Sequence, residues 1–291
     1  MNKFVTSIFS ILILVTSCAS VESNNNFAKI AENIEIETID ENKIFDDYLD
    51  SDWEKNLDEN PLFATYTGDK RSNDKINSND INQFNVSKKS DIDSLNKLYE
   101  IDESKLNDDN KLNYKLKEFG LKNSINSKSF PIYYLRLNQR GGIQSFYETG
   151  NRLVYSSKQD YLDWLSRLEL FSQNIENSLM INKEGLSKGH TQPKLVTRGV
   201  ISQIDSIINS DIENNPYLKV FKEADETILT LQEKEDLINK AKFIIENKIN
   251  PSYKKLNQFL KEEYLVKSRD SIGIKDIPNG KEYYEHLAQY Y

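Results

Sequence analysis

The chain has 291 residues, with 38 basic and 46 acidic side chains, a formal net charge of −8 and 37% hydrophobic residues. That acidic balance leaves no electrostatic footprint for nucleic acid and argues against such a partner, while the apolar fraction supports a real core in one or two domains. Ten glycines and six prolines fall below ordinary usage, which points to long helices with few tight turns, and the abundance of Asn, Ile, Lys and Asp reads as the codon bias of an AT-rich genome.

At the amino terminus Met1-Asn2-Lys3 precedes an apolar stretch over residues 4–17, interrupted only by Thr and Ser. At about 1.5 Å per residue it spans about 21 Å, short of the roughly 30 Å hydrocarbon core, so it reads as a signal peptide and not a membrane span. Val15-Thr16-Ser17-Cys18 sets small residues directly before the sole cysteine, which resembles the bacterial lipobox. The resemblance implies a lipidated Cys18 as first residue of the mature chain and a membrane partner held through it, since two or more acyl chains anchor stably. The residue after Cys18 is Ala19 and not an acidic one; by resemblance to Gram-negative sorting patterns this implies an outer-membrane anchor facing the periplasm. The expected organisation is a signal peptide over 1–17, lipidated Cys18 and a flexible polar tether over 18–41, and a helical domain over 42–291.

Ile44, Phe45, Tyr48, Leu49, Trp53 and Leu57 recur at helical spacing from about Asn42, and Asn60-Pro61 marks a boundary. Residues 69–89 are polar and read as a surface loop. Ser90 is expected to cap a helix whose apolar face is Ile92, Leu95 and Leu98, and a further helix over 108–122 is expected to bury Leu112, Leu116 and Phe119. Residues 130–135 read either as a short strand or as extended loop. Ser157-Lys158-Gln159-Asp160 is a capping signature before Tyr161, Trp164, Leu165, Leu168, Phe171, Ile175 and Leu179. Leu195, Val196, Val200, Ile201, Ile204, Ile207 and Ile208 mark the next helix. Thr230-Leu231-Gln232-Glu233 opens another, which continues in phase past Pro251 to Tyr264 and is expected to kink there or to divide into two helices end to end.

Between two of these helices lies Glu184-Gly185-Leu186-Ser187-Lys188-Gly189-His190-Thr191-Gln192-Pro193. Gly185 or Gly189 suits a helix stop at positive φ and Pro193 suits the next first turn, so the stretch reads as a corner. His190 alone cannot hold zinc, which needs three or four protein ligands. The other histidine, His286, is distant in sequence, so there is no His-Glu-x-x-His helix; nor is there a phosphate loop or a Gly-x-Ser-x-Gly elbow. The pairs Asp46-Asp47, Asp108-Asp109 and Glu262-Glu263 read as solvated charge. The sequence also lacks the alternating strands and helices of a doubly wound solute-binding domain.

Four ordered segments carry a resemblance. Asn60-Pro61-Leu62-Phe63-Ala64-Thr65-Tyr66-Thr67-Gly68-Asp69, Leu137-Asn138-Gln139-Arg140-Gly141-Gly142-Ile143-Gln144, the Glu184 to Pro193 corner and Pro278-Asn279-Gly280-Lys281-Glu282-Tyr283-Tyr284 are similar to motifs of the bacterial family catalogued as domain of unknown function 885. The resemblance implies a mainly α, multi-helical fold of long antiparallel helices with irregular loops, one half of a gluzincin-like zinc metallopeptidase with a deep cleft. It implies a peptide or small-amide substrate, and zinc for the full-length protein. The family's zinc helix lies beyond the last of these segments, so no metal or catalytic residue and no cofactor is assigned in this chain, which is expected to be the amino-terminal half and to pair with a carboxy-terminal half. Arg140, Gly141, Gly142, Tyr283 and Tyr284, in segments expected to be non-helical, are the candidate cleft residues. The competing expectation is a non-catalytic helical envelope lipoprotein that binds a partner.

Overall fold

The computed structural model describes residues 40–290. The expected signal peptide, Cys18 and the tether before Asp40 lie outside the described residues. Residues 41–290 lie in one compact unit, and among the described residues the secondary structure is helical, with a single isolated parallel bridge between Pro193 and Arg269.

Helix α1, Glu41–Glu59, buries Phe45 and Leu57. Pro61 then opens the short α2, Pro61–Tyr66, at a position where its missing N–H is one of the unpaired ones anyway. The expected loop over 69–89 is shorter than its composition implied. Helix α3 spans Ile81–Leu98, capped by the Asp80 carboxylate on the Asn82 N–H at 2.7 Å. Ser90, the expected cap, sits mid-helix with its hydroxyl donated to Glu59 Oε1 at 2.9 Å. Asp80 and Ser90 offer the same capping chemistry, and Ile81 and Phe84, both half-buried, decide for the earlier start.

Helix α4, Asp108–Ser127, is capped by Asn107. It turns Tyr114 and Leu121 inward, where they join Phe45, Leu98, Ile101 and Leu106 in a small second core. Leu112, Leu116 and Phe119, the expected buried face, are about 60% exposed instead. The reason is competition between two stripes on one helix: the one bearing Tyr114 reaches the apolar pocket left by α1 and α3, and periodicity alone does not choose between them. Residues 130–135 form neither strand nor extended loop throughout; Ile132–Leu135 is a 3-10 turn.

After α5, Tyr147–Arg152, comes the central helix α6, Lys158–Ser187, with the expected capping box: Ser157 and Asp160 exchange hydrogen bonds. Its stripe of Trp164, Leu165, Leu168, Phe171 and Ile175 is the spine of the main core. Burial of each such side chain contributes about 1.5–3 kcal/mol. The corner closes at Gly189, whose φ of +76° needs no Cβ. Gly185 is helical and lies so close to Tyr134 that an added Cβ would come within 2.9 Å of the Tyr134 Cβ. Helix α7, Lys194–Ile208, then packs Val200, Ile201, Ile204 and Ile207 into the same core.

Following the short α8, Lys219–Lys222, one unbroken helical run crosses the molecule: α9, Leu231–Ile244; a π turn, Ile245–Ile249; α10, Asn250–Phe259; a second π turn, Leu260–Tyr264; and α11, Leu265–Lys267. A division at Pro251 does not occur. The wider π turn just before it displaces the preceding carbonyls that an α-helical turn would drive into the proline ring, and the run stays in phase. Helix α12, Gly280–Tyr290, contains Tyr283 and Tyr284, which corrects their expected placement in a non-helical segment. No helix among the described residues is long and apolar enough to cross a membrane.

Candidate functional site

Three stretches of chain converge on a cleft of about 660 Å³, within the usual range for ligand sites: residues 62–79, residues 135–152 and the polar side of α6. Its apolar floor is Phe146, stacked on Phe171 at 4.1 Å and against Trp164 at 5.3 Å.

Asn174, Ser178 and Asn182 stand at spacings of four on α6 and form a polar stripe down one wall. Opposite them, Asn79 donates from Nδ2 to the Asn174 carbonyl and to Ser178 Oγ, both at 2.9 Å, and Asn174 Nδ2 donates to the Asn77 carbonyl at 2.9 Å. Asn182 Nδ2 donates to the Ser178 carbonyl at 2.7 Å. Because each Nδ2 faces a carbonyl, the amide orientation is fixed, and the Oδ1 atoms of Asn79 and Asn182 are buried acceptors without a donor. A buried acceptor of this kind is costly unless something else donates to it.

The wall carrying Asn79 is pinned from α6 by Arg167, which is 1% exposed. Its Nε donates to the Lys75 carbonyl at 2.8 Å and its Nη2 to Thr65 Oγ1 at 2.5 Å, with the Ser72 and Pro61 carbonyls at 3.3 and 3.4 Å. Lower on α6, Asp160 accepts from Lys70 Nζ at 2.7 Å and from the Ser156 N–H at 2.8 Å. Burial pushes the Asp160 pKa up, but Lys70 and the Ser156 and Ser157 donors outweigh it and bring it to about 2.

The third wall is a tight turn. Asn138 accepts the Arg140 N–H on its side chain and the Gly142 N–H on its carbonyl, both at 2.9 Å. A Cβ on Gly142 would meet the Asn138 carbonyl at 2.5 Å, so only glycine fits there; beside Gly141 there is open space. Arg140 is exposed at the cleft edge, with no ion pair among the described residues, whereas Arg152 pairs with Glu148 at 2.9 Å.

A family model described as "Bacterial protein of unknown function (DUF885)" matches residues 61–291. The chain belongs to the DUF885 family. It is also similar to a crystal structure of a candidate lipoprotein from Colwellia psychrerythraea, with a TM-score of 0.71 and 16% identity over 86% of this chain and 46% of that one. At that identity the likeness is one of fold, and the chain spans less than half the length of that protein. No curated protein matches the chain.

The DUF885 segments fall at distinct places. Residues 60–69 and 137–144 contribute to the cleft walls, so Arg140, Gly141 and Gly142 line it. Tyr283 and Tyr284 do not. Tyr283 packs on Phe130 at 5.2 Å beside a narrow crevice that His190 and Pro278 share, and Tyr284 is 62% exposed. His190 is buried against Tyr134, and burial holds its pKa below the ordinary value. His286 Nε2 lies 2.7 Å from Ser127 Oγ. Among the described residues no three His, Cys, Asp or Glu side chains gather as metal ligands would, so the zinc of the family resemblance does not fit these residues and no step is drawn through it.

The Asn174, Ser178 and Asn182 stripe, Asn79 and the Arg167 anchor did not figure among the sequence candidates. The spacing of four on a helix already identified was the available signal for the stripe; nothing local announced Asn79 or the acceptors of Arg167, which lie far away in the chain.

Proposed function

We propose that this DUF885 chain is the cleft-bearing amino-terminal part of a lipid-anchored, metallopeptidase-like hydrolase of the cell envelope, and that its cleft holds peptides or small amides in extended form. The observation that carries the reading is a cleft of about 660 Å³ that sets the polar stripe of Asn174 and Ser178 beside an apolar floor at Phe146. The polar wall suits the backbone of an extended peptide, and the floor at Phe146 suits apolar side chains. The role of this part is to bind and orient substrate and to exclude water around it. Zinc and the groups that act on it would come from outside this chain, in a longer protein such as the length of the Colwellia psychrerythraea neighbour allows. Anchoring through Cys18 would place the cleft at the periplasmic face of the outer membrane.

The test is calorimetric titration of the whole chain with oligoalanines, alongside peptidase assays of a longer family protein with and without a zinc chelator. Peptide binding by this chain, with chelator-sensitive cleavage by the longer protein, is the expected result. Absence of both would leave a non-catalytic lipoprotein that binds a partner. Metabolic labelling with palmitate, lost on Cys18→Ala, tests the anchor.

A further inference from the structure

We infer that the cleft takes acidic peptides, with Arg136 and Arg140 as the pair of guanidinium groups that receive side-chain carboxylates. The inference rests on the peptide reading above and adds the class of side chain the cleft accepts.

The chain as a whole is acidic, with 46 acidic against 38 basic residues, and of the basic ones 31 are lysine and seven arginine. The cleft departs from both balances. Among the described residues its basic lining is Arg136, Arg140 and Arg152, with no lysine, and Glu148 is the one acidic lining residue. Where composition favours lysine this strongly, three arginines in one cleft point to a need for the guanidinium itself and not for positive charge alone. What the guanidinium adds is a planar fork of N–H donors that meets a carboxylate in two parallel hydrogen bonds.

Arg152 already pairs with Glu148 at 2.9 Å. Arg136 and Arg140, four residues apart on one wall, have no carboxylate partner among the described residues. The Arg136 guanidinium lies over the Phe84 ring at 4.4 Å, and Phe84 packs in turn on Tyr133 at 4.7 Å. Stacking of this kind engages the flat face of the group and leaves its N–H edge for an anion. Its surroundings partly desolvate Arg136 and hold its pKa below the ordinary value, a cost that a bound carboxylate offsets. Arg140 is carried on the turn that Asn138 and Gly142 fix, beside the open space at Gly141. Two uncompensated cations in a concave site draw in anionic segments and repel basic ones, against the charge of the chain as a whole. A glutamate peptide satisfies both the arginine pair and the polar wall; its glutamine counterpart, of the same shape, satisfies only the wall.

The experiment is titration of the whole chain with triglutamate and triglutamine, both acetylated and amidated so that only the side chains differ. The proteins are the native chain, the double variant Arg136→Gln with Arg140→Gln, the same pair changed to Lys, and Glu148→Gln. The native chain is expected to bind triglutamate at least tenfold more tightly, about 1.4 kcal/mol, with a smaller margin at high salt. The preference should vanish in the double Gln variant and return only in part in the double Lys variant. Glu148→Gln releases Arg152 and should widen the preference, a gain that unfolding cannot imitate. Equal binding of the two peptides by the native chain would overturn the acidic selection while leaving the peptide reading standing. A preference that survives in the double Gln variant, or returns in full with Lys, would overturn the assignment to the guanidinium pair. Displacement of triglutamate by an equal concentration of inorganic phosphate would reassign the pair to a phosphorylated ligand and overturn the carboxylate. Failure of both peptides to bind would overturn the peptide reading and this inference with it.

Discussion

Replacing Arg167 with Met tests whether one buried guanidinium holds the cleft wall in place. The native side chain makes two close bonds, to the Lys75 carbonyl at 2.8 Å and Thr65 Oγ1 at 2.5 Å, and two longer ones, and it has no carboxylate partner among them. Methionine fills much of the same volume but donates nothing, so the Lys75 carbonyl loses its partner, while Thr65 Oγ1 and the Pro61 and Ser72 carbonyls keep other hydrogen bonds but lose the charged one. Each well-made bond lost this way costs about 1–3 kcal/mol, partly offset because a charge no longer has to be desolvated. The net expectation is a loss of about 3 kcal/mol, equivalent to a fall of roughly 6–12 °C in Tm for a unit of this size. Arg167→Lys should lose about 2 kcal/mol, because one ammonium cannot reach both close acceptors with the geometry of the guanidinium fork. Thermal and urea unfolding of the whole chain give the stability. Oligoalanine titration reports whether binding weakens in parallel, since Leu62, Ile76 and Asn77 on the released segment line the cleft. A Met variant within 1 kcal/mol of the native protein would refute the pinning role.

Asp160, with its pKa near 2 against an unfolded value near 3.9, contributes stability that is fully present above about pH 5 and is lost as pH falls through 2, in all about 2.5 kcal/mol. Asp160→Asn should therefore be destabilised by about 2 kcal/mol at pH 7, and the gap to the native protein should narrow between pH 5 and pH 2; a constant gap would sink the linkage. His190 has the opposite sign: burial depresses its folded pKa, so the unfolded chain takes the proton first, and stability declines as pH drops below about 6.5. His190→Gln should flatten that decline, by at most about 1.4 kcal/mol per pH unit, in urea titrations from pH 7.5 to 5.5. Gly150 has room for no side chain, because a Cβ would lie 2.3 Å from the Trp164 ring. Gly150→Ala should cost about 1–3 kcal/mol by overpacking, and an unchanged Tm would show that the ring can move aside.

Helix existence was legible where the signal is local. The Ser157 and Thr230 capping boxes form as their spacing requires, because every partner lies within three residues. What was not legible depends on distant partners. Asp80 and Ser90 both satisfy the rule for a cap, and only the half-burial of Ile81 and Phe84 separates them. Leu112, Leu116 and Phe119 form as good an apolar stripe on paper as the one that docks. The turn carrying Arg140, Gly141 and Gly142 was found through family resemblance, yet the amide wall facing it passed as genomic composition bias, since an asparagine's function depends on which carbonyl faces its Nδ2. Tyr283 and Tyr284 were grouped with that turn on the same resemblance and lie elsewhere, on α12.

The two π turns in the run from Leu231 to Lys267 make its length a matter of angle as well as distance. Each wide turn accommodates about one residue more than an α turn, and one α-helical residue corresponds to roughly 100° of rotation about the axis. Deleting a single residue within Ile245–Ile249 would give that segment ordinary α geometry and leave everything after it at nearly its present angle, because four α residues turn about as far as five in the wider turn. Tyr253 and Leu256 would keep facing α6, whereas the same deletion within the α-helical Leu231–Ile244 would rotate them away by about 100°. Shortening by one residue should thus be tolerated better within this wide turn than within α9, where every later contact of the run would be turned away from its partner.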